Sequence, residues 1–394
     1  MEESGLPQTP GFRIPMLPRT RTLAATLLAA GVLVHAGLAA QDAPAPVSAA
    51  LPVAGTLPGR LSDAEFWMLR QELSEPGGYF RIVDNYTSNE GDIGFIVTAL
   101  QRAGIQGGVY VGVGPEQNLT YIAATRPRMA FVVDIRRQAA MQHLMFKALF
   151  ELAADRAEFI SLLFAKPRPA HLDEHSNIQH IWQAFALVSA DPEGAARIEK
   201  RIAHLLTVTR GLALTPEESA EIAAVYQAFV GFGPAISTRG SGGFGGGGNN
   251  YSFADLTGWA VDESGQVQSF LSTDENYRTV KSLHERNLIV PLTGDFGGPK
   301  ALRALGAYLK RHGGVVSAFY VSNVEQYLFQ DGKAAAFYEN VSELPIDAAS
   351  VFIRPYSLRR SMSPRPLCPI SSFIEAAQAG QVRWNIDSLA CAGR

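Results

Sequence analysis

Cysteine is scarce in this chain: 394 residues contain only Cys368 and Cys391, both near the C-terminal end. Neither has another Cys or a His at metal-site spacing, which argues against a zinc site. In an oxidising compartment the two have no partner but each other, so one disulfide closing the tail is expected, with two buried free thiols as the alternative. An excess of one charge sign is also missing. The 34 Lys and Arg against 37 Asp and Glu give a formal charge of -3, which supplies no basic surplus to neutralise phosphates and argues against nucleic acid as the main partner. The sequence has no His-Glu-x-x-His and no Gly-x-Ser-x-Gly, so zinc-protease and α/β-hydrolase readings find no support in it. The glycine-rich run 240–250 lacks the Lys-Ser or Lys-Thr that would make it a P-loop, and reads as a flexible loop.

What is present is a globular composition, 47% hydrophobic and 18% charged, on a chain long enough to bury a full core. The first sixty residues differ from the rest. Arg13, Arg19 and Arg21 precede an apolar run over 23–40 made almost wholly of Ala, Leu, Val and Gly that ends in small residues, the pattern of a signal peptide over 1–40 cleaved before Ala40 or Gln41. An uncleaved anchor is the alternative, since the run is close to the length that first spans a bilayer. Pro and Ala then mark 41–60 as a spacer. The protein is therefore expected to be exported, periplasmic or extracellular, and to meet a membrane only through that first segment.

The remainder, 61–394, reads as one α/β domain. Ser62 and Glu65 form a capping box for a first helix, and Ile93, Ile96, Val97 and Leu100 give a second its apolar stripe over 92–102. The run 108–118, then 119–124, then 129–134 spells strand, Gly turn, helix, strand. From 138 to about 287 the pattern is mostly helical, with long segments at 141–164 and 216–229, the latter opened by a capping box of Thr215 and Glu218, and forms an insertion. Alternation then resumes: strand 288–292, helix 299–312, strand 315–321, helix 324–340, strand 351–353, helix 371–378 and a last strand near Val382. That spacing predicts a Rossmann-like, doubly wound, mostly parallel sheet covered on both faces.

In such sheets ligands bind beyond the carboxyl ends of the strands, where the strand order reverses. Four strand tips here carry Gly112 with Gly114, then Asp134, Asp295 and Asn323. Glycines let a ligand approach the backbone, and a carboxylate at the second tip can accept ribose hydroxyls. A dinucleotide fingerprint would want a third glycine where Gln117 stands. The competing reading is a tight turn with solvated acids.

This order of tips resembles class I S-adenosylmethionine-dependent methyltransferases. The resemblance implies that Gly112 and Gly114 face the methionine part of the cofactor, with Glu116 and Asn118 beside them in the turn. It also implies that Asp134 binds the ribose, Asp295 lies by the adenine and Asn323 stands near the substrate. Tyr320 or Glu325 would accept a proton in such a site. The runs 75–80, 109–137, 249–255 and 320–327 also resemble a group of bacterial proteins, the LIC_10091-like family, which implies no activity. The two functional readings that follow are a methyltransferase-like protein that binds S-adenosylmethionine or a related nucleoside, with no metal, and a non-catalytic binding protein on the same fold. Two other clusters stand out. His171, Asp173, Glu174, His175 and His180 could meet a metal but read better as a solvated loop and helix cap, while Arg354, Arg359, Arg360 and Arg365 read as a solvated basic surface or an anion site.

Overall fold

The computed structural model describes residues 56–80, 85–238, 240–241, 250–354 and 366–391. The expected leader, the spacer up to residue 55, Arg359, Arg360, Arg365 and most of the glycine-rich run lie outside these described residues.

In chain order, α1 (Asp63–Leu73) and α2 (Ile93–Arg102) precede β1 (Val109–Gly112), α3 (Gln117–Thr125) and β2 (Met129–Asp134). A helical stretch follows: α4 (Arg137–Leu152), α5 (Arg156–Leu163), α6 (Ile178–Ala186), α7 (Pro192–His204) and α8 (Pro216–Phe232). The two-residue strands β3 (Ile236–Ser237) and β4 (Gly240–Ser241) pair antiparallel before α9 (Phe253–Gly258) and α10 (Asp274–Glu285). Alternation resumes with β5 (Ile289–Thr293), α11 (Ala301–Arg311), β6 (Val316–Tyr320), α12 (Val324–Gln330) and α13 (Ala334–Ser342). The described chain ends with β7 (Val351–Ile353), β8 (Leu367–Pro369), α14 (Ile370–Gln378) and α15 (Asn385–Leu389).

Six strands form one sheet in the order β5-β2-β1-β6-β7-β8, parallel except at the β7–β8 edge. The fold is thus the Rossmann-like α/β class. β1 and β2 are buried at every position, as expected of strands covered on both faces, where alternation gives way to continuous apolar runs. In β1, Val111 lies level with Phe131 on one side and Phe319 on the other. That register brings the carboxyl ends of neighbouring strands to one edge. Helix α3 packs on β1, α4 on β2 and β5, and α10 on both helices; α11, α13 and α14 form a second contact chain. Both capping boxes read from the sequence are present, Ser62 with Glu65 and Thr215 with Glu218.

Four expectations are corrected. The 141–164 segment is two helices, because the Asp155 side chain accepts the Glu158 N–H and starts α5 afresh. The 324–340 segment is also two, split where Gly332 takes a φ of 70°. No strand forms at Val382; the last strand is β8, which pairs antiparallel with β7 and places Cys368 opposite Phe352. Arg354 is not solvated: it is buried between the rings of Phe352 and Phe373, with its guanidinium on Glu325.

Cys368 and Cys391 are joined in a disulfide with Cα atoms 5.7 Å apart and a sequence separation of 23. The bond ties the segment that follows α15 to the edge strand. Closing such a loop removes chain entropy worth about 3 kcal/mol from the unfolded state. Thiol titration in denaturant without reductant is expected to find no free thiol, and Cys391→Ser to lower the unfolding free energy by about that amount. Two titratable thiols would contradict the bridge.

Candidate functional site

The turn after β1 is held by one amide. Asn118 Nδ2 donates to three carbonyls of the turn, Val113 (2.9 Å), Gly114 (3.1 Å) and Pro115 (2.8 Å), while its Oδ1 accepts from Tyr110 Oη at 2.9 Å. His143 on α4 adds Nε2 at 2.9 Å from the Gly114 carbonyl; a carbonyl only accepts, so this nitrogen carries the proton. Burial pushes the His143 pKa down and keeps the ring neutral. A Cβ on Gly112 would collide with Asn118 Oδ1 and the Tyr110 ring, so this glycine makes room for the clamp. Gly114 has a φ of 81° with open space around its Cβ position; it is needed for its backbone conformation. Glu116 is buried, accepts the Ser88 N–H, and is pushed up to about 8, first by burial. Gly112, Glu116 and Asn118, expected at a cofactor, therefore build the turn and do not line the cleft beside it.

The order of the sheet reverses at β1, with β2 and β5 to one side and β6 and β7 to the other, which places a crevice beyond the carboxyl ends. A cleft lies there with about 1040 Å³ of empty space, part of it open to solvent. Its lining includes Gly114, Asp134, Asp295, Tyr320 and Asn323, so the structure brings together a residue from each of the four expected tips. Of the described residues of the insertion, Thr238 alone is in its lining. Asp134 is only 4% exposed: Oδ1 accepts from the Arg136 backbone N (2.8 Å) and Nε (3.1 Å), and Oδ2 from Arg136 Nη2 (2.8 Å). Asp295 accepts from the Gly297 N–H at 2.9 Å and from Lys333 Nζ at 2.7 Å. The same hydrogen bond holds the Lys333 pKa above its usual value. Phe296, Tyr327, Phe80 and the exposed Tyr79 supply aromatic walls. The Asn323 side chain has no hydrogen bond among the described residues.

The two proposed proton acceptors fare differently. Tyr320 lines the cleft, yet its hydroxyl donates to Gln117 Oε1 at 3.2 Å and burial pushes its pKa well above the usual value, so it is a poor base at neutral pH. Glu325 is corrected outright. It points away from the cleft into a buried pair with Arg354, at 2.6 and 2.9 Å, and also accepts Tyr338 Oη at 2.8 Å. Sequence reasoning missed Glu90 and Ser322: Ser322 Oγ donates to Glu90 Oε1 at 2.5 Å at the cleft wall. Nothing local links residues 232 positions apart; only a serine directly after a strand offered a signal. The His171 cluster is a loop and cap, in which Asp173 accepts the His175 N–H and Asn177 caps α6. Among the described residues no group of three or more His, Cys, Asp or Glu is placed to hold a metal.

A family model described as Domain of unknown function (DUF7790) matches residues 86–178 and 257–377, more than half of the chain. The interval it leaves out, 179–256, falls within the helical insertion and holds α7 and α8, while all four strand tips lie inside the match. No curated protein matches the chain.

Glu116 gives the site a pH signature. Its folded pKa, about 8 against an ordinary 4.5, means that the folded state holds the proton more tightly. The stabilisation is complete below the ordinary value and is lost as pH rises towards 8. Glu90, also pushed up by desolvation, contributes with the same sign. Glu116→Gln is expected to flatten the decline in unfolding free energy between about pH 4.5 and 8, read by denaturant titration. An unchanged slope would place Glu116 in water.

Proposed function

The chain belongs to the DUF7790 family, and on that footing we propose that its strand-tip cleft binds a small nucleoside-type ligand, with S-adenosylmethionine as the named candidate. The supporting observation is the convergence of four strand tips on one cleft at the point where the sheet order reverses.

The donor set fits a nucleoside. A carboxylate offers about four acceptor positions; Arg136 takes three on Asp134, which leaves one for a ribose hydroxyl. Phe296, Tyr327 and Tyr79 offer flat faces on which a base can stack. Asn323 brings an amide with both functions unused, and Gly114 lets the ligand meet backbone. With Gly112 committed to Asn118, Gly114 is the glycine of the first turn left to meet the methionine part of the cofactor. S-adenosylmethionine, when bound, would supply an electrophilic methyl group. The chain's own residues orient the ligand and exclude water from around it.

The second reading, binding without methyl transfer, is favoured by the fate of the expected bases: Tyr320 is a buried donor and Glu325 is locked to Arg354. Export also belongs to this proposal. The apolar leader and the Cys368–Cys391 bridge support it, and no helix among the described residues is long and apolar enough to cross a membrane.

Calorimetry of the full chain with adenosine, S-adenosylhomocysteine and S-adenosylmethionine at millimolar concentration tests the reading. Saturable heat is expected with at least one. Asn323→Ala should weaken it about 2- to 10-fold, the worth of one hydrogen bond, without changing the melting temperature. Absence of heat with all three would end the nucleoside reading.

A further inference from the structure

We infer that Ser322 is an activated nucleophile and Glu90 its base, so that the cleft can take an acyl group from a small ester. This goes beyond the nucleoside reading and needs only the open cleft.

Ser322 stands between the end of β6 and the start of α12, with φ at 48°. A serine in the left-handed region is uncommon, and such strain persists where the surroundings hold it, often at functional sites. A sharp strand-to-helix turn at the carboxyl edge of a sheet presents a serine hydroxyl outward. Here Ser322 is partly exposed and lines the cleft. The flanking glycines of the familiar motif are replaced by Tyr320 and Val324, which is why no motif marks the site.

The hydroxyl has a base. The 2.5 Å contact from Ser322 Oγ to Glu90 Oε1 is in the range of a charge-assisted hydrogen bond. Glu90 Oε2 in turn lies 3.4 Å from Gln117 Nε2, and Gln117 is fixed by Tyr121 Oη at 2.7 Å, by the Tyr320 hydroxyl at 3.2 Å and by Ser88 Oγ. Nucleophile, base and a third group that orients the base are the arrangement nucleophilic catalysis requires. Desolvation raises the Glu90 pKa above the ordinary carboxylate value and so makes the carboxylate a stronger base. Asn323, next along the chain and also in the lining, supplies an amide for the carbonyl oxygen.

In the first step Ser322 Oγ bonds to the ester carbonyl carbon and its proton passes to Glu90. The bond to the alcohol oxygen then breaks, and Glu90 returns the proton to the departing alkoxide. Water attacks the acyl-serine, gives its proton to Glu90, and that proton goes back to Ser322 Oγ as the carboxylic acid leaves.

The full chain is to be treated with a biotinylated fluorophosphonate and the labelled peptide sequenced by mass spectrometry, with 4-nitrophenyl acetate turnover measured alongside. Label is expected on Ser322 in the unaltered protein and absent in Ser322→Ala. Should the alanine variant fail to fold, Ser322→Gly, which relieves the positive φ, serves the same purpose. Glu90→Gln is expected to label at least about 100-fold more slowly, the lower end of general-base effects. No label on the unaltered protein, label on another residue, or an unchanged rate in Glu90→Gln would each overturn the inference. None of these outcomes bears on nucleoside binding.

Discussion

The hydrogen bonds of the Asn118 amide to the carbonyls of Val113, Gly114 and Pro115 hold the first turn of the sheet in place, and the rest of the site depends on that clamp. Three carbonyls directed at one buried amide would be costly to leave unpaired. The clamp therefore fixes where β1 stops, how α3 begins and where the Gly114 backbone meets the cleft. The room for it comes from the missing Cβ of Gly112, and His143 extends it to α4 through Gly114. One polar residue thus couples the first βαβ unit to the first helix of the insertion.

Beyond the turn, the charges of the cleft are arranged in pairs. Asp134 holds Arg136 and Asp295 holds Lys333, and behind them Glu325 holds Arg354 in a fully buried pair. The two buried pairs, Asp134 with Arg136 and Glu325 with Arg354, contribute little net stability against an apolar replacement, because desolvation offsets their attraction, but removing one partner leaves an uncompensated buried charge. Their effect here is to hold tip side chains in fixed positions. They also explain why residues that look available in the sequence are already engaged.

The fold was legible because its signals are periodic. Continuous apolar runs marked β1, β2, β5 and β6, and capping boxes marked α1 and α8. The tips were legible for a related reason, since strand ends are where Gly114, Asp134, Asp295 and Asn323 had to fall. What stayed hidden is which side chains pair with which. Arg354 withdrawing Glu325 and Ser322 meeting Glu90 cross 29 and 232 positions, while Asn118 filling the space at Gly112 and Arg136 occupying Asp134 are local but carry no periodic signal. β8 was missed because a three-residue strand around Cys368 is too short for alternation to show, while Val382 offered apolar character with no partner strand.

The central claim is that the tips of β1, β2, β5 and β6 form one ligand site, organised by the Asn118 clamp. Hydrogen-exchange mass spectrometry with and without S-adenosylhomocysteine tests it most directly. The account predicts added protection confined to peptides covering 113–118, 134–137, 294–297 and 320–328. Protection confined instead to 274–286, beside the surface crevice lined by Arg278 and Arg286, with the strand tips unchanged, would contradict it.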